Sequence, residues 1–223
     1  MSLLTKQQKK FLHLFSQEKL LTKRFYLTGG TALIEYYIPY RYSDDLDFFS
    51  EAEINIDAVL TFFKSIKKEL GYKEFDYNTS YNRNLIFLNF GDYVLKTEFT
   101  YFPFPPIQIN KPKEGIQIDS LIDIAVNKLF TIYQNPRGRD FMDLYMIQEK
   151  ENFDMELLIS RARAKFDWHV DPLKLGAQFM LAKETKDEPV LVKDLKRENW
   201  EDYFIEAAKS LESEIFESKD SQT

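Results

Sequence analysis

Apolar positions in the first half of the chain alternate between a spacing of three to four residues and a spacing of two. The helical spacing runs through residues 5–20, with Phe11 on the inward face, and again through residues 56–70. Shorter runs with strand character occupy residues 25–27, 45–49, 72–79, 84–90 and 93–102. A further short helix is predicted over residues 31–37. The pattern is typical of an α+β region.

After residue 118 no strand pattern remains. Helical spacing predicts five helices, over residues 119–133, 140–149, 154–166, 171–183 and 199–217. The proline-rich stretch at residues 103–112 is the expected seam between the two patterns. We therefore predict an α+β domain with an N-terminal helix over residues 1–118, followed by a helical domain over residues 119–223.

Composition excludes several classes of protein. The 223 residues are 44% hydrophobic and 30% charged, which is ordinary for a globular chain. Cysteine is absent and there are two histidines, so thiol catalysis is excluded and a multi-histidine zinc site is disfavoured. Without an apolar run of membrane-spanning length or a secretory signal, we expect a cytoplasmic protein with no membrane partner. The net charge of −6 disfavours a large nucleic-acid footprint, although the basic segment 1–24 keeps RNA open.

A glycine pair separates the first strand from the helix that follows it. Gly29, Gly30 and Thr31 occupy this turn. Glycine lets a phosphate approach the backbone, and the start of a helix offers free N–H groups and the positive end of the helix dipole. A simple turn with a helix cap explains the same residues and stays open as an alternative.

Two aspartates follow on the next predicted strand. Asp45 and Asp47 alternate with Leu46 and Phe48, so the carboxylates share one face while the apolar pair points to the core. Like charges this close favour a neutralising cation, and a hard divalent ion such as Mg²⁺ suits oxygen ligands. A solvated strand end is the alternative. Glu98, on the open face of a later strand, is a candidate third carboxylate, or a surface group paired with Lys96.

The helical half contributes a second group of candidates. Lys128 falls in the middle of an apolar helix face, where it must extend to solvent or find an anion such as a phosphate. Further along, Asp140 is expected to cap the next helix with help from Asp143. Arg137 and Arg139 are then left beside a helix start, where arginine suits phosphate binding.

Two blocks of this sequence together resemble a known family. The first block runs from Leu27 to Leu33 and from Arg41 to Phe49, and the second comprises residues 123–129 and 137–145. Both resemble the signatures of the AbiEii/AbiGii toxin family of nucleotidyltransferases, within the DNA-polymerase-β-like superfamily. The resemblance implies a nucleotidyltransferase-like mixed β-sheet core with flanking helices, followed by a C-terminal helical region. Many members have histidine where this chain has Tyr40.

The resemblance also implies a set of site residues. It places metal on Asp45 and Asp47, with Glu98 as a looser third ligand, and catalytic roles on Asp45, Asp47, Lys128, Asp140 and Asp143. It places nucleotide phosphate on the turn of Gly29, Gly30 and Thr31. Arg41, Ser43 and Arg139 are further candidates for nucleotide and phosphate binding. We expect two Mg²⁺ ions as cofactors and an NTP as substrate.

The function that follows is Mg²⁺-dependent transfer of NMP from an NTP to an RNA, such as a tRNA end, or to a protein. The family implies a toxin with a cognate antitoxin as partner. Two other hypotheses stay open at this point. One is a nucleotide- or partner-binding module without turnover, and the other is a metal-dependent phosphohydrolase that uses the same carboxylates.

Overall fold

The computed structural model describes the backbone of residues 2–220 and the side chains of residues 2–211. The chain divides into two compact units, Met1–Ser120 and Leu121–Thr223. The first unit contains all the strands among the described residues, and the second is helical. The predicted α+β class is therefore confirmed. No described helix is both long and apolar enough to cross a membrane.

A seven-stranded mixed sheet forms the centre of the first unit. In chain order its strands are β1 (Tyr26–Thr28), β2 (Leu46–Ser50), β3 (Glu74–Ser80), β4 (Arg83–Asn89), β5 (Val94–Tyr101), β6 (Lys111–Lys113) and β7 (Ile116–Ile118). Their spatial order is β3-β4-β5-β2-β1-β7-β6. The pairs β1–β7 and β2–β5 are parallel, and the other neighbours are antiparallel.

Four helices accompany this sheet: α1 (Lys6–Gln17), α2 (Lys19–Thr22), α3 (Gly29–Tyr36) and α4 (Ile56–Leu70). Helix α1 begins with a capping box between Thr5 and Gln8, which satisfies two backbone N–H groups at once. Asn55 caps α4, and Gly71 ends it in the left-handed conformation that glycine adopts without a steric cost. Local sequence therefore fixes where both long helices start and where α4 stops.

An aromatic cluster joins the sheet to these helices. Phe48 and Phe99, on β2 and β5, stack with ring centroids 5.0 Å apart, and Phe15 of α1 lies 4.4 Å from Phe48. Phe63 of α4 packs against Phe99 at 5.8 Å. All four are buried. Because strand side chains alternate, this packing turns Asp47 and Glu98 to the opposite face of the sheet.

The second unit contains α5 (Leu121–Gln134), α6 (Gly138–Glu151), α7 (Met155–Phe166), α8 (Pro172–Met180), a 3₁₀ turn (Leu181–Glu184) and α9 (Arg197–Asp220). Asp154 and Asp171 cap α7 and α8 through their side chains. Buried rings of Phe141, Phe179 and Phe204 form part of its core. Helical spacing had predicted all five of these helices.

The sequence prediction missed one hairpin and placed the start of α6 two residues too late. Strands β6 and β7 lie at the end of the proline-rich region, where no strand was predicted. Helix α6 begins at Gly138, with Arg137 as its N-cap residue, so the expected capping role of Asp140 is wrong. The Gly138 N–H instead donates to Asp187 Oδ1 at 2.7 Å, and a cap from a distant loop is not visible in local sequence.

Candidate active site

The glycine turn between β1 and α3 is packed tightly against polar side chains. Gly29 has a φ of +69°, and a Cβ atom there would lie 2.7 Å from Asp47 Oδ2. A Cβ on Gly30 would lie 2.6 Å from Arg41 Nη2 and 2.9 Å from Ser43 Oγ. The turn therefore needs both glycines, and it brings a carboxylate and a guanidinium directly beside the backbone.

Thr31 and Arg41 hold the segment that leads to the aspartates. The buried Thr31 hydroxyl shares a hydrogen bond with Ser43 Oγ at 3.0 Å and contacts the Asp45 carbonyl oxygen. Arg41 is also buried, and its Nη1 donates to the Tyr42 carbonyl at 2.7 Å. Both side chains thus fix the backbone before β2 against the start of α3.

Asp45 lies just before β2 and Asp47 is the second residue of that strand, and both side chains are partly exposed. Asp45 precedes the strand by one residue and forms an ion pair with Lys96 Nζ at 2.7 Å. Asp47 lies within the strand, between Thr28 of β1 and Glu98 of β5 in the register of the sheet. The sheet therefore places Asp47 beside both the glycine turn and the third candidate carboxylate.

Glu98 is held by a cation that the sequence did not predict for it. Arg83 donates from Nε and Nη2 to the two Glu98 oxygens at 2.7 and 2.6 Å, and Thr100 donates to Oε1 at 2.7 Å. Burial raises the pKa of Glu98, but the hydrogen bonds from Arg83 and Thr100 outweigh it and hold that pKa below its usual value. The alternative pairing of Glu98 with Lys96 is wrong, since Lys96 contacts Asp45.

The carboxylates suit a hard divalent ion. Asp45 and Asp47 offer oxygen donors that solvent can reach, and Asp45 already holds a cation, Lys96. The pKa of Arg83 is raised first by its hydrogen bond to Glu98 and further by the charges of Asp47 and Asp45. Among the described residues, no three carboxylates or histidines are grouped closely enough to hold an ion.

A second polar cluster lies in the helical unit. Lys128 Nζ contacts Asp140 Oδ1 at 2.7 Å and Asp143 Oδ2 at 2.6 Å, and both carboxylates are fully buried. Arg137 Nε donates to the second Asp140 oxygen at 2.6 Å. Burial raises the pKa of Asp140, but the nearby Lys128 and Arg137 outweigh it and lower that pKa. Lys128 has thus found its anions within the same unit, while Arg139 is exposed at the start of α6.

Three participants escaped the sequence analysis as site residues: Arg83, Lys96 and the buried Asp119, whose Oδ2 accepts from the Thr28 hydroxyl at 2.6 Å. Lys96 was considered only as a partner of Glu98, with which it shares a strand face, and not as a partner of Asp45. The contact of Arg83 with Glu98 depends on the register of β4 against β5, in which Arg83 lies opposite Thr100. The sequence does not show that register. Asp119 follows a strand that was not predicted.

Comparisons with known proteins identify the family of this chain and the fold that it shares with solved structures. A family model described as "Nucleotidyl transferase AbiEii toxin, Type IV TA system" matches residues 13–219. The uncharacterized protein aq_aa25 of Aquifex aeolicus (strain VF5) is 34% identical over 145 residues. That match covers 64% of this chain and 66% of that protein, slightly under two thirds of its length.

Two solved structures share the fold. A candidate nucleotidyltransferase from H. pylori superimposes with a TM-score of 0.61 at 20% identity, covering 96% of this chain and 98% of that one. JHP933 from Helicobacter pylori gives a TM-score of 0.58 at 22% identity, covering 99% and 98%. At these identities the likeness concerns the fold, and it confirms the nucleotidyltransferase-like architecture.

The family match spans nearly the whole chain and includes both signature blocks. It confirms the predicted resemblance and the predicted class of enzyme, a nucleotidyltransferase. The chain belongs to the AbiEii family of nucleotidyl transferase toxins of type IV toxin–antitoxin systems.

Proposed function

We propose that this protein transfers NMP from an NTP to an acceptor hydroxyl on RNA, including tRNA ends, or on a protein, with Mg²⁺ held by Asp45 and Asp47. The observation that carries the proposal is the contact between the glycine turn and Asp47. A Cβ on Gly29 would meet Asp47 Oδ2 at 2.7 Å, so a carboxylate lies directly against the backbone turn at the start of a helix, where phosphate oxygens find N–H donors. The reaction joins the acceptor oxygen to the α-phosphorus and releases pyrophosphate and a proton.

The residues around the turn divide the work of binding. Gly29 and Gly30 have no side chains, so the backbone of the turn lies directly beside Asp47 and Arg41. The N–H groups at the start of α3 supply donors and a positive dipole end for phosphate oxygens. Arg41 and Ser43, behind Gly30, fix the turn, and the Arg41 guanidinium adds positive charge beside it. Thr31 would bind phosphate through its backbone N–H, because its hydroxyl already forms hydrogen bonds with Ser43 Oγ and the Asp45 carbonyl oxygen.

Asp45 and Asp47 are the metal ligands in this proposal. Bound there, Mg²⁺ supplies a Lewis acid that acidifies the acceptor hydroxyl and neutralises the leaving pyrophosphate. Glu98 stays a predicted third ligand, and this role requires Arg83 to release one of the two carboxylate oxygens that it now holds. We expect two ions, as in the two-metal sites of polymerases.

The helical unit supplies further charge. Lys128, the position of the family lysine, and the exposed Arg139, an arginine at a helix start, are assigned to neutralising phosphate in the transition state. Asp140 and Asp143 hold the Lys128 ammonium at 2.7 and 2.6 Å, which supports a role for both in fixing its position. Their catalytic assignment rests on the resemblance.

The positive charge on α4 does not indicate whether the acceptor is RNA or protein. The lysines of α4 are exposed, but α4 packs on the Phe99 side of the sheet, opposite the face that carries Asp47 and Glu98. They therefore do not line the proposed metal site. As the toxin of a toxin–antitoxin pair, the protein would act in the cytoplasm with an antitoxin as its counterpart.

A labelling experiment tests the proposal. Purified protein is incubated with Mg²⁺ and each α-³²P-NTP, with and without total RNA. Label in RNA, or on protein, is expected for the wild type and lost in the Asp45→Asn/Asp47→Asn variant. Asp44→Asn, the same chemical change at an exposed neighbouring position, is the matched control and should label normally. Release of NMP with no labelled acceptor would instead identify a phosphohydrolase, and nucleotide binding without any turnover would identify a binding module.

A further inference from the structure

The helix that starts at the glycine turn lacks the side-chain cap that its sequence offers. Thr28 is the N-cap residue of α3, and threonine there ordinarily accepts from the N–H of the second or third helical residue. In α3 these residues are Gly30 and Thr31. The Thr28 side chain makes no capping hydrogen bond.

The Thr28 hydroxyl is engaged by a buried carboxylate instead. It donates to Asp119 Oδ2 at 2.6 Å, and both residues are almost completely buried. The other Asp119 oxygen accepts from the Ser120 N–H at 3.1 Å. The Asp119 N–H in turn donates to the Leu27 carbonyl at 2.9 Å, which continues the parallel pairing of β7 with β1. The acceptor of the Thr28 hydroxyl is thus fixed by both side-chain and backbone contacts.

Asp119 also contacts the far end of the same helix. Its carbonyl accepts from the Tyr37 hydroxyl at 2.8 Å, and Tyr37 is the C-cap residue of α3. One residue therefore binds the residues at both ends of the helix that carries the glycine turn. This double contact sets the helix against β7 as well as against β1.

We propose that Asp119 is a positioning residue that withholds the Thr28 hydroxyl from α3 and so leaves the N–H groups of Gly30 and Thr31 available to the nucleotide phosphates. The inference deepens the proposed function, since it rests on the phosphate site placed at this turn. It assigns Asp119 no contact with substrate. Its effect passes through Thr28, which without Asp119 is free to rotate and cap the helix.

The direction in which Asp119→Ala changes the affinity for phosphate distinguishes this mechanism from simple electrostatics. Removal of a negative charge near an anion site ordinarily tightens anion binding. Asp119→Ala removes such a charge, yet the proposal predicts weaker binding, because the freed Thr28 hydroxyl competes for the same N–H groups. Adding Thr28→Val removes the competing hydroxyl and should restore the binding.

The test uses the full-length protein and Mg²⁺-tripolyphosphate as the probe, with calorimetry for affinity. From the usual strength of an N-cap, we expect Asp119→Ala to bind about fivefold more weakly and the Asp119→Ala/Thr28→Val double variant to return to near the wild-type affinity. Asp119→Asn keeps an oxygen acceptor for Thr28, so it should bind no more weakly than the wild type although it removes the same charge. Equal losses in the single and double variants, or tighter binding by Asp119→Ala, would overturn the proposal.

A second measurement does not depend on the nucleotide. Amide hydrogen exchange at Gly30 and Thr31, followed by NMR, should slow about fivefold in Asp119→Ala and recover in the double variant. Unchanged exchange in Asp119→Ala refutes the withheld cap even if no phosphate binds. If the wild type binds neither tripolyphosphate nor NTP while exchange changes as expected, the phosphate site fails and the role of Asp119 stands.

A third variant covers a failure of Asp119→Ala to fold. Thr28→Val alone lacks the hydroxyl but leaves the helix uncapped, as in the wild type, so binding within twofold of the wild type is expected. A fivefold or greater loss would show that the hydroxyl itself contacts phosphate, and it would overturn the proposal.

Discussion

Asp47 and Glu98 lie directly opposite each other on the parallel strands β2 and β5, and Glu98 is held there by a bidentate contact from Arg83. Neighbouring carboxylates on one sheet face repel each other unless cations balance them. Arg83 provides that balance for Glu98, and Lys96 provides it for Asp45. Two of the carboxylates at the end of the sheet proposed as a metal site therefore each contact a cationic side chain of the protein.

The Arg83 contact gives Glu98 a measurable effect on acid stability. Because the pKa of Glu98 is lowered in the folded protein, its contribution to stability is present above its unfolded pKa of about 4.3 and is lost as the pH falls through the lower folded pKa. We expect the unfolding free energy of Glu98→Gln to decrease less between pH 5 and pH 3 than that of the wild type. Urea unfolding at several pH values measures this. The exposed Glu74→Gln is the control, and parallel pH profiles for Glu98→Gln and the wild type would contradict the prediction.

Lys128 should be essential to the stability of the helical unit. Lys128→Met leaves Asp140 and Asp143 buried without the ammonium that now lies 2.7 and 2.6 Å from them. Removing one partner of a buried ionic group costs about 3–5 kcal/mol, so a loss of that size in the free energy of unfolding is expected in urea. The exposed pair of Lys183 and Asp202, 3.9 Å apart, gives the control Lys183→Met, expected to change stability by less than about 1 kcal/mol. A similar small loss for both variants would show that the cluster is not needed for stability.

Lys96 should compete with the metal for Asp45. The ammonium lies 2.7 Å from Asp45 Oδ2, so a divalent ion that uses this oxygen must displace it. We therefore expect Lys96→Met to bind Mg²⁺ several-fold more tightly than the wild type in a calorimetric titration without nucleotide. Lys64→Met, at an exposed position on α4, removes the same charge away from the site and should leave the affinity nearly unchanged. Weaker binding by Lys96→Met would mean that Lys96 supports the metal site and does not compete with it.

The sequence predicted those features that depend on residues close together in the chain, such as which side chains of one strand or helix share a face. Alternation along β2 placed Leu46 and Phe48 in the core, and both are fully buried. Spacing likewise identified Lys128 as a cation on an apolar face, but its partners lie on another helix, so only the structure identifies them. The bidentate contact of Arg83 with Glu98 depends on strand register in the same way.

The missed hairpin has a separate physical cause. Pro112 lies within β6, and proline normally argues against a strand because it has no N–H to donate. Strand β6 is at the edge of the sheet, where one side needs no partner, so the proline is tolerated. Asp119 directly follows the second strand of that hairpin. Because the strand was not predicted, the contact of Asp119 with Thr28 was not predicted either.

Gly30 offers a test of the turn that separates binding from folding. In Gly30→Ala the new Cβ would lie 2.6 Å from Arg41 Nη2 and 2.9 Å from Ser43 Oγ, both ends of side chains that can shift. We expect the free energy of unfolding to fall by about 1–3 kcal/mol, as for other overpacked sites. We also expect the affinity for NTP to fall at least tenfold. Gly176→Ala, with no atom closer than 3.7 Å to its Cβ and a position inside α8, should gain up to about 1 kcal/mol and bind NTP normally. Urea unfolding and calorimetric NTP titration of both variants decide the matter: if Gly30→Ala folds and still binds NTP like Gly176→Ala, the phosphates do not approach the backbone at this turn.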